Sequence, residues 1–413
     1  MDIKRRSFIK GIGIASPLIG GAFGYKKAIA DILNYDPEKA FGFSENHVPM
    51  NAANLCPMPI AISRSMARFN DDLDFDMSGS NRSRIVSIKE NAREGIAKQL
   101  NVKTNEVAIT RNTSESNNII AQGLSLKSGD EILLWDQNHP SNDVSWAVRA
   151  DRSNCKVRYF SVPTFTNDIE NITDLIQKQI SPKTKVISFT HISNITGFKL
   201  PAQQICEAVR GQNKNIHIHI DGAQTWGLMD VDLNKIGCDS FSGSSHKWYM
   251  GPREIGLLVV KEPRVENIWP NIVSIGWGNS KDTSADGAKK FEAYGQRDDA
   301  SLAALSETVK FHKEITPRKI EHAATKISEY IRSALIDINV KFVSSNNQQF
   351  TSNVIILEVL RQNRTQLLKK IFNEAGIILA GTGGLRLSPH IYNTTDHADR
   401  VVRAINNNRD LLG

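Results

Sequence analysis

Between Val102 and Lys261 short runs of β-branched and other apolar residues alternate with longer segments whose apolar positions recur every three or four residues. Strands are predicted at 106–110, 131–135, 157–162, 186–190, 216–220 and 255–260, and helices near 115–126, 168–179 and 202–210. Strands that alternate with helices describe a mainly parallel sheet with helices on both faces, a doubly wound α/β lobe. The texture then changes. A mostly helical stretch spans 302–335, with a kink or break expected at Pro317. Strands follow near 340–343 and 352–357, a helix at 365–375 and a last helix after Asp396, with 344–349 read as a loop. That is an α+β lobe joined to the first by the helical stretch. A chain of 413 residues is long enough for two such lobes.

The first thirty residues are set apart from the fold. Lys4-Arg5-Arg6-Ser7-Phe8-Ile9-Lys10 precedes a Gly-rich apolar run, and Ala28-Ile29-Ala30 offers a small-x-small cleavage pattern. They read as a twin-arginine signal peptide cut near Ala30, which implies the twin-arginine export machinery as a partner and a periplasmic location. The segment carries six Lys or Arg and one Asp, so its removal takes the net charge from +7 to +2. A nearly neutral body gives no electrostatic case for nucleic acid. No internal run reaches the roughly 20 apolar residues of a membrane span, so none is expected after maturation. Cys56, Cys155, Cys206 and Cys238 show no C-x-x-C spacing; free thiols are expected, and no disulfide pair can be chosen.

In open parallel sheets ligands bind beyond the carboxyl ends of the strands. After the first strand comes Arg111-Asn112-Thr113-Ser114-Glu115, either a phosphate seat at a helix N-terminus or a plain N-cap by Thr113 or Ser114. His139 follows the second strand and Asn194 the fourth; each is a ligand contact or a turn residue. The sharpest signal is His217-Ile218-His219-Ile220-Asp221-Gly222-Ala223-Gln224 followed by Ser244-Ser245-His246-Lys247. A carboxylate at a strand end with a lysine 26 positions later suits pyridoxal 5′-phosphate (PLP). The carboxylate keeps the ring nitrogen protonated, and the lysine amine forms the Schiff base and carries the proton. The competing reading is a zinc metallohydrolase using His217, His219 and Asp221, which alternate along one strand face. That pattern wants a further histidine after the aspartate, where this chain has Gly222.

In combination these motifs resemble the class V aminotransferase family of fold type I PLP enzymes, which includes isopenicillin N epimerase-like proteins and cysteine desulfurases. The likeness runs from Asn51-Ala52-Ala53-Asn54 to Tyr392-Asn393-Thr394. It implies an α/β fold type I PLP-dependent transferase: signal peptide at 1–30, N-terminal segment and large PLP-binding α/β domain at 31–305, bridging helix and small C-terminal α+β domain at 306–413. It implies Lys247 as the Schiff-base lysine, Asp221 as partner of the pyridine nitrogen, and His139 stacked on the ring. Gln224 and Asn194 match groups near the phenolic oxygen; Thr113, Ser114, Ser244 and His246 match the phosphate cradle; Arg386, in Gly383-Gly384-Leu385-Arg386, matches the grip on the substrate carboxylate. A homodimer is implied too, although Gln296 stands where the family often has Thr at a cross-subunit phosphate contact. Chemistry at the α-carbon of a small amino substrate follows, of aminotransferase or epimerase type, with a carbon–sulfur lyase as alternative. Desulfuration by persulfide transfer is disfavoured, because it needs a cysteine in the C-terminal lobe and the last one is Cys238. An inactive PLP-fold protein is disfavoured by the intact set Asp221, Lys247 and Arg386.

Overall fold

The computed structural model describes residues 37–166, 168–274 and 286–413. The signal peptide expected at 1–30 lies outside the described residues. The central sheet contains β1 (Val107–Thr110), β2 (Glu131–Trp135), β3 (Lys156–Phe160), β4 (Thr184–Thr190), β5 (His217–Asp221), β6 (Ser240–Ser244) and β7 (Gly256–Val260), in the spatial order β1-β7-β6-β5-β4-β2-β3. Only β7 runs against the others: it pairs antiparallel with β1 and β6, whereas β6-β5, β5-β4, β4-β2 and β2-β3 are parallel. Two apolar cores cover its faces, one including Phe189, Ile218 and Phe241, the other Ala108, Leu134 and Leu258. Burial on both sides is why the strands read as short continuous apolar runs.

β6 is the exception and is a correction to the sequence reading. Ser-Phe-Ser-Gly-Ser carries turn residues and almost no apolar signal, yet every residue of it is buried between β5 and β7. The sequence reading also passed over three long helices: α1 (Ile60–Phe75), α2 (Gly79–Gln99) and the Pro140–Ser153 segment, here α4, which follows α3 (Thr113–Gly123). The remaining crossovers are α5 (Ile169–Gln177) and α6 (Ala202–Gln212).

The helical stretch breaks at Pro317 as expected, into α7 (Asp299–Ile315) and α8 (Pro317–Asp337), separated by Thr316 at φ 77°. Proline occupies the first turn of α8, where its missing N–H costs nothing. The C-terminal lobe adds β8 (Ile355–Leu357) antiparallel to β9 (Leu385–Leu387), with α9 (Arg364–Ala375) and α10 (Thr395–Asn406) against them. The strand expected at 340–343 is reduced to one bridge, Phe342 to Leu357.

Residues 41–56 pack mainly against the C-terminal lobe. Phe41, Val48, Met50, Ala52 and Cys56 join the core that contains Ile327, Ile356 and Val401. Backbone bonds fasten them there: Ala52 N–H donates to the Ser388 carbonyl at 3.1 Å and Ser388 N–H to the Met50 carbonyl at 2.8 Å. This places Asn51 beside β9, at the seam between the lobes. Among the described residues no helix is long and apolar enough to cross a membrane.

Candidate active site

The carboxyl ends of parallel strands bring Asp221, Lys247 and His139 to one place. Asp221 ends β5, fully buried, with Oδ2 accepting from Asn117 Nδ2 at 2.9 Å and Oδ1 from the Ala223 N–H at 3.0 Å. Lys247 lies just past β6. Burial pushes its amine below the ordinary lysine range; Asp221 opposes that shift and Arg386 reinforces it. His139 precedes α4. Burial lowers its imidazole pKa first; the Asp221 charge raises it, and the Lys247 and Arg386 charges lower it. Four groups from four separate stretches of chain therefore share one electrostatic environment.

The Lys247 turn is clamped from outside. Trp248 donates Nε1–H to Gln224 Oε1 at 2.7 Å, and its carbonyl lies 2.9 Å from His390 Nε2. The next carbonyl, of Tyr249, lies 2.9 Å from His312 Nε2, while the Tyr249 ring stacks between Trp226 and His312 at 4.0 Å from each. A lysine on so braced a turn has little freedom to wander from Asp221.

Arg386 is carried by β9, 5 % exposed. Its Nη2 donates to Asn51 Oδ1 at 3.1 Å and its Nη1 to the Asn194 carbonyl at 3.4 Å. Its Nε has no partner, and burial lowers its pKa to about 10. Gly383 explains the approach of β9 to the Asn194 loop: at φ 77°, a Cβ there would overlap the Ile195 carbonyl. Asn194, 7 % exposed, has its own Oδ1 unpartnered. An unpartnered buried donor and acceptor at one site are costly unless a ligand completes them.

At the opposite end Thr113 opens α3. Its N–H and its hydroxyl both lie 2.7 Å from Ser244 Oγ, so the two expected cradle residues hold each other. The cap of α3 is neither Thr113 nor Ser114 but Asn112, whose side chain accepts from the Glu115 N–H at 2.9 Å. Ser114 is exposed and lines an outer cavity of about 300 Å³ with Arg111 and Tyr294. His246, half-buried, has its pKa lowered to about 4 by burial and by the Lys247 and Arg253 charges. Gln224 is largely committed within the protein, donating to the Ala53 carbonyl at 3.0 Å as well as accepting from Trp248. Gln296 sits apart on the surface, bonded to Arg82 and Asp299.

The metallohydrolase alternative gains no support from this geometry. His217 and His219 turn their ring nitrogens to Ser240 and Asn117. Among the described residues no cluster of three His, Cys, Asp or Glu side chains could hold a metal ion. At position 222 any Cβ would overlap the Phe241 ring, which leaves no room for the histidine such a site needs.

Sequence reasoning missed Asn117 and Asn51. By type alone Asn117 is an ordinary helical polar residue. Its spacing from Thr113, Ser116 and Ile120 puts it on the buried stripe of α3, and that was the available signal.

The family model for aminotransferase class-V matches residues 76–404. Among curated proteins, the chain is 25% identical over 375 residues to isopenicillin N epimerase of Streptomyces clavuligerus, covering 87% of this chain and 94% of that protein. It is 25% identical over 380 residues to a probable cysteine desulfurase of Methanothermobacter thermautotrophicus, covering 85% and 92%. Among solved structures, a mutant of C-DES with glycine covalently linked to its PLP cofactor superposes with a TM-score of 0.81 at 21% identity, over 88% of this chain and 97% of the other. The cysteine desulfurase of Thermococcus onnurineus gives a TM-score of 0.79 at 20% identity, over 90% and 97%.

Proposed function

The chain belongs to the aminotransferase class-V family, and from that premise we propose that it is a PLP-dependent enzyme acting at the α-carbon of an amino acid or amine-bearing metabolite. The observation that carries this reading is the convergence of Asp221, Lys247 and Arg386 on His139, beside the unpartnered Arg386 Nε and Asn194 Oδ1. The residues fit the cofactor. Asp221 would face its ring nitrogen, Lys247 its aldehyde carbon, Thr113, Ser114, Ser244 and His246 its phosphate, Asn194 and Gln224 its phenolic oxygen, and His139 its ring face. When bound, PLP supplies an electron sink for negative charge developing at the α-carbon.

This chain's own residues do the rest. Arg386 orients the substrate by its carboxylate through a planar fork, and its burial strengthens that pairing. Lys247, with its amine pKa depressed by burial, holds more of its Nζ in the neutral form than a surface lysine, so it can take a proton from the α-carbon and return one. His139 Nδ1 accepts from the Ser141 N–H at 3.2 Å; the imidazole, neutral because of burial, therefore keeps its proton on Nε2.

We favour an aminotransferase or epimerase, with a carbon–sulfur lyase as the alternative. Persulfide transfer is opposed by the thiols themselves: Cys56, Cys206 and Cys238 are buried, and burial pushes Cys56 and Cys238 up to about 12, away from the nucleophilic thiolate. Further proposals are that the chain leaves the cytoplasm folded by the twin-arginine route, is cut near Ala30 and works in the periplasm as a homodimer. The Arg5-Arg6 motif supports the route and the family resemblance supports the dimer. Replacing both arginines by lysine should abolish export in a fractionation assay, and light scattering reports the oligomer.

The test of the reaction is a spectrum followed by a screen. PLP added to the purified chain should produce a visible absorbance band that Lys247→Ala lacks, with no stoichiometric metal. A wild-type chain that takes up no PLP sinks the reading. Amino acids are then screened with keto acid, ammonia and stereochemical exchange scored separately, which divides transamination, elimination and epimerisation.

A further inference from the structure

Asp221 is the last member of a chain of buried polar groups whose other members the proposed reaction does not use. His217 Nε2 lies 2.9 Å from Ser240 Oγ, Ser240 Oγ lies 2.8 Å from His219 Nδ1, and His219 Nε2 lies 3.0 Å from Asn117 Oδ1. Asn117 Nδ2 then donates to Asp221 Oδ2 at 2.9 Å. None of these five side chains is more than 4 % exposed. They meet because 217, 219 and 221 share one face of β5, Ser240 and Ser242 share the same face of β6, in register with 219 and 221, and α3 lays Asn117 across both. Buried parallel strands normally carry apolar residues at such positions.

Each proton in the chain can be placed. The carboxylate selects the amide orientation of Asn117, since a flipped amide would set oxygen against oxygen. Asn117 Oδ1 therefore faces the other way and accepts, from Ser242 Oγ–H at 2.6 Å and from His219. An acceptor-only oxygen requires the His219 proton on Nε2. Burial holds His219 neutral, with its pKa lowered to about 3, so its Nδ1 is bare and accepts from Ser240. The single Ser240 proton is thus committed, and His217 must donate its Nε2–H to the Ser240 oxygen. All donors run in one direction, from His217 to Asp221, and every linking atom is satisfied, which is the condition under which a buried network rigidifies its surroundings.

We propose that His219, supported by Ser240 and His217, is a positioning residue that locks the Asn117 amide with its N–H towards Asp221, and so fixes that carboxylate as the partner of the PLP ring nitrogen. The inference rests on the pyridoxal reading above. It assigns a function to the two strand histidines other than metal binding.

The experiment has two arms. The first measures PLP affinity by equilibrium dialysis for wild type, His219→Leu and His219→Gln, each checked for folding by circular dichroism. Glutamine places an N–H donor where Nε2 was, and leucine places none. His219→Leu should weaken PLP binding about tenfold or more, with His219→Gln within about threefold of wild type. Equal losses in both variants, or no loss in His219→Leu, overturn the proposal. Where His219→Leu does not fold, Ser240→Ala, which deletes one hydroxyl, takes its place.

The second arm needs no cofactor. In the chain with ¹⁵N-labelled histidine, His219 should show a neutral ring protonated on Nε2, a state that Ser240→Ala perturbs. A His219 ring protonated on Nδ1, or charged near neutral pH, overturns the relay by itself. Failure of wild type to bind PLP refutes the pyridoxal reading and, with it, the ligand proposed for Asp221; the ring state then shows separately whether the relay exists.

Discussion

Arg386 is held at two nitrogens by the protein and left open at the third. A guanidinium so placed recognises a carboxylate by shape as well as charge, and a lysine cannot reproduce the fork. Arg386→Lys should therefore raise KM for a carboxylate-bearing substrate by about tenfold to a hundredfold, the range of a lost charged hydrogen bond, with a smaller effect on kcat. Amines without a carboxylate should respond little, and steady-state kinetics on matched pairs checks this. The meeting of Asp221 and Lys247 around His139 was legible because both are reactive residue types, at a strand end and in a dense motif, whereas Arg386 was assigned by the family resemblance. Asn117, Asn51 and the pins on Trp248 and Tyr249 were not legible, because their partners lie far away in sequence: Asn117 meets Asp221 across 104 residues and Asn51 meets Arg386 across 335. Spacing along a chain encodes a helix face, but not what that face will meet.

At the scale of elements, the sequence reading succeeded where apolar runs are continuous. It placed β2 at both ends and most of β4, β5 and β7. It has no strand at β6, whose serines carry almost no apolar signal although Ser240, Ser242 and Ser244 are each hydrogen-bonded inside the protein. It failed too at 340–343, where Val340, Phe342 and Val343 favour a strand but gain only the Phe342 bridge. The break between α7 and α8 was foreseen at Pro317, but its cost falls on the residue before. Thr316 takes φ 77° and ψ 138°, a β-branched residue in a region that glycine tolerates far better, and its side chain provides no cap to α8. Thr316→Gly should therefore stabilise the protein by about 1 kcal/mol, despite the added freedom of the unfolded chain, and urea denaturation measures it. Unchanged or lower stability would mean that the surrounding helices impose no strain there. Gly383 makes the opposite case: at φ 77° against the Ile195 carbonyl, Gly383→Ala should destabilise by about 1–3 kcal/mol and loosen the seat of Arg386.

Across the whole molecule the site is assembled from parts that share a burial problem. His217 and His219 lie in the sheet, His191 between strand and loop, and His312 and His390 brace the Lys247 turn from α7 and the C-terminal lobe. Burial lowers all five: His191, His219 and His390 to about 3, His217 and His312 to about 4. In the unfolded chain each would take up a proton near the ordinary value of 6.5. Between about pH 6.5 and 4 the unfolded state therefore binds more protons than the folded one, and stability falls as pH falls. Each histidine contributes up to about 1.4 kcal/mol per pH unit in that interval. Lowered carboxylates such as Asp239 and Glu292 act in the same direction, but only from the ordinary carboxylate range downwards. The window from about pH 6.5 to 5 thus belongs to the histidines. Unfolding free energies from denaturant titrations across that window should fall steeply, and His219→Gln, which removes one titrating ring while keeping a donor to Asn117, should flatten the slope by up to about 1.4 kcal/mol per pH unit. A wild-type curve that stays level down to pH 5 would mean that these rings charge freely in the folded state, and neither the neutral relay to Asp221 nor the clamp on the Lys247 turn could then exist in the form described.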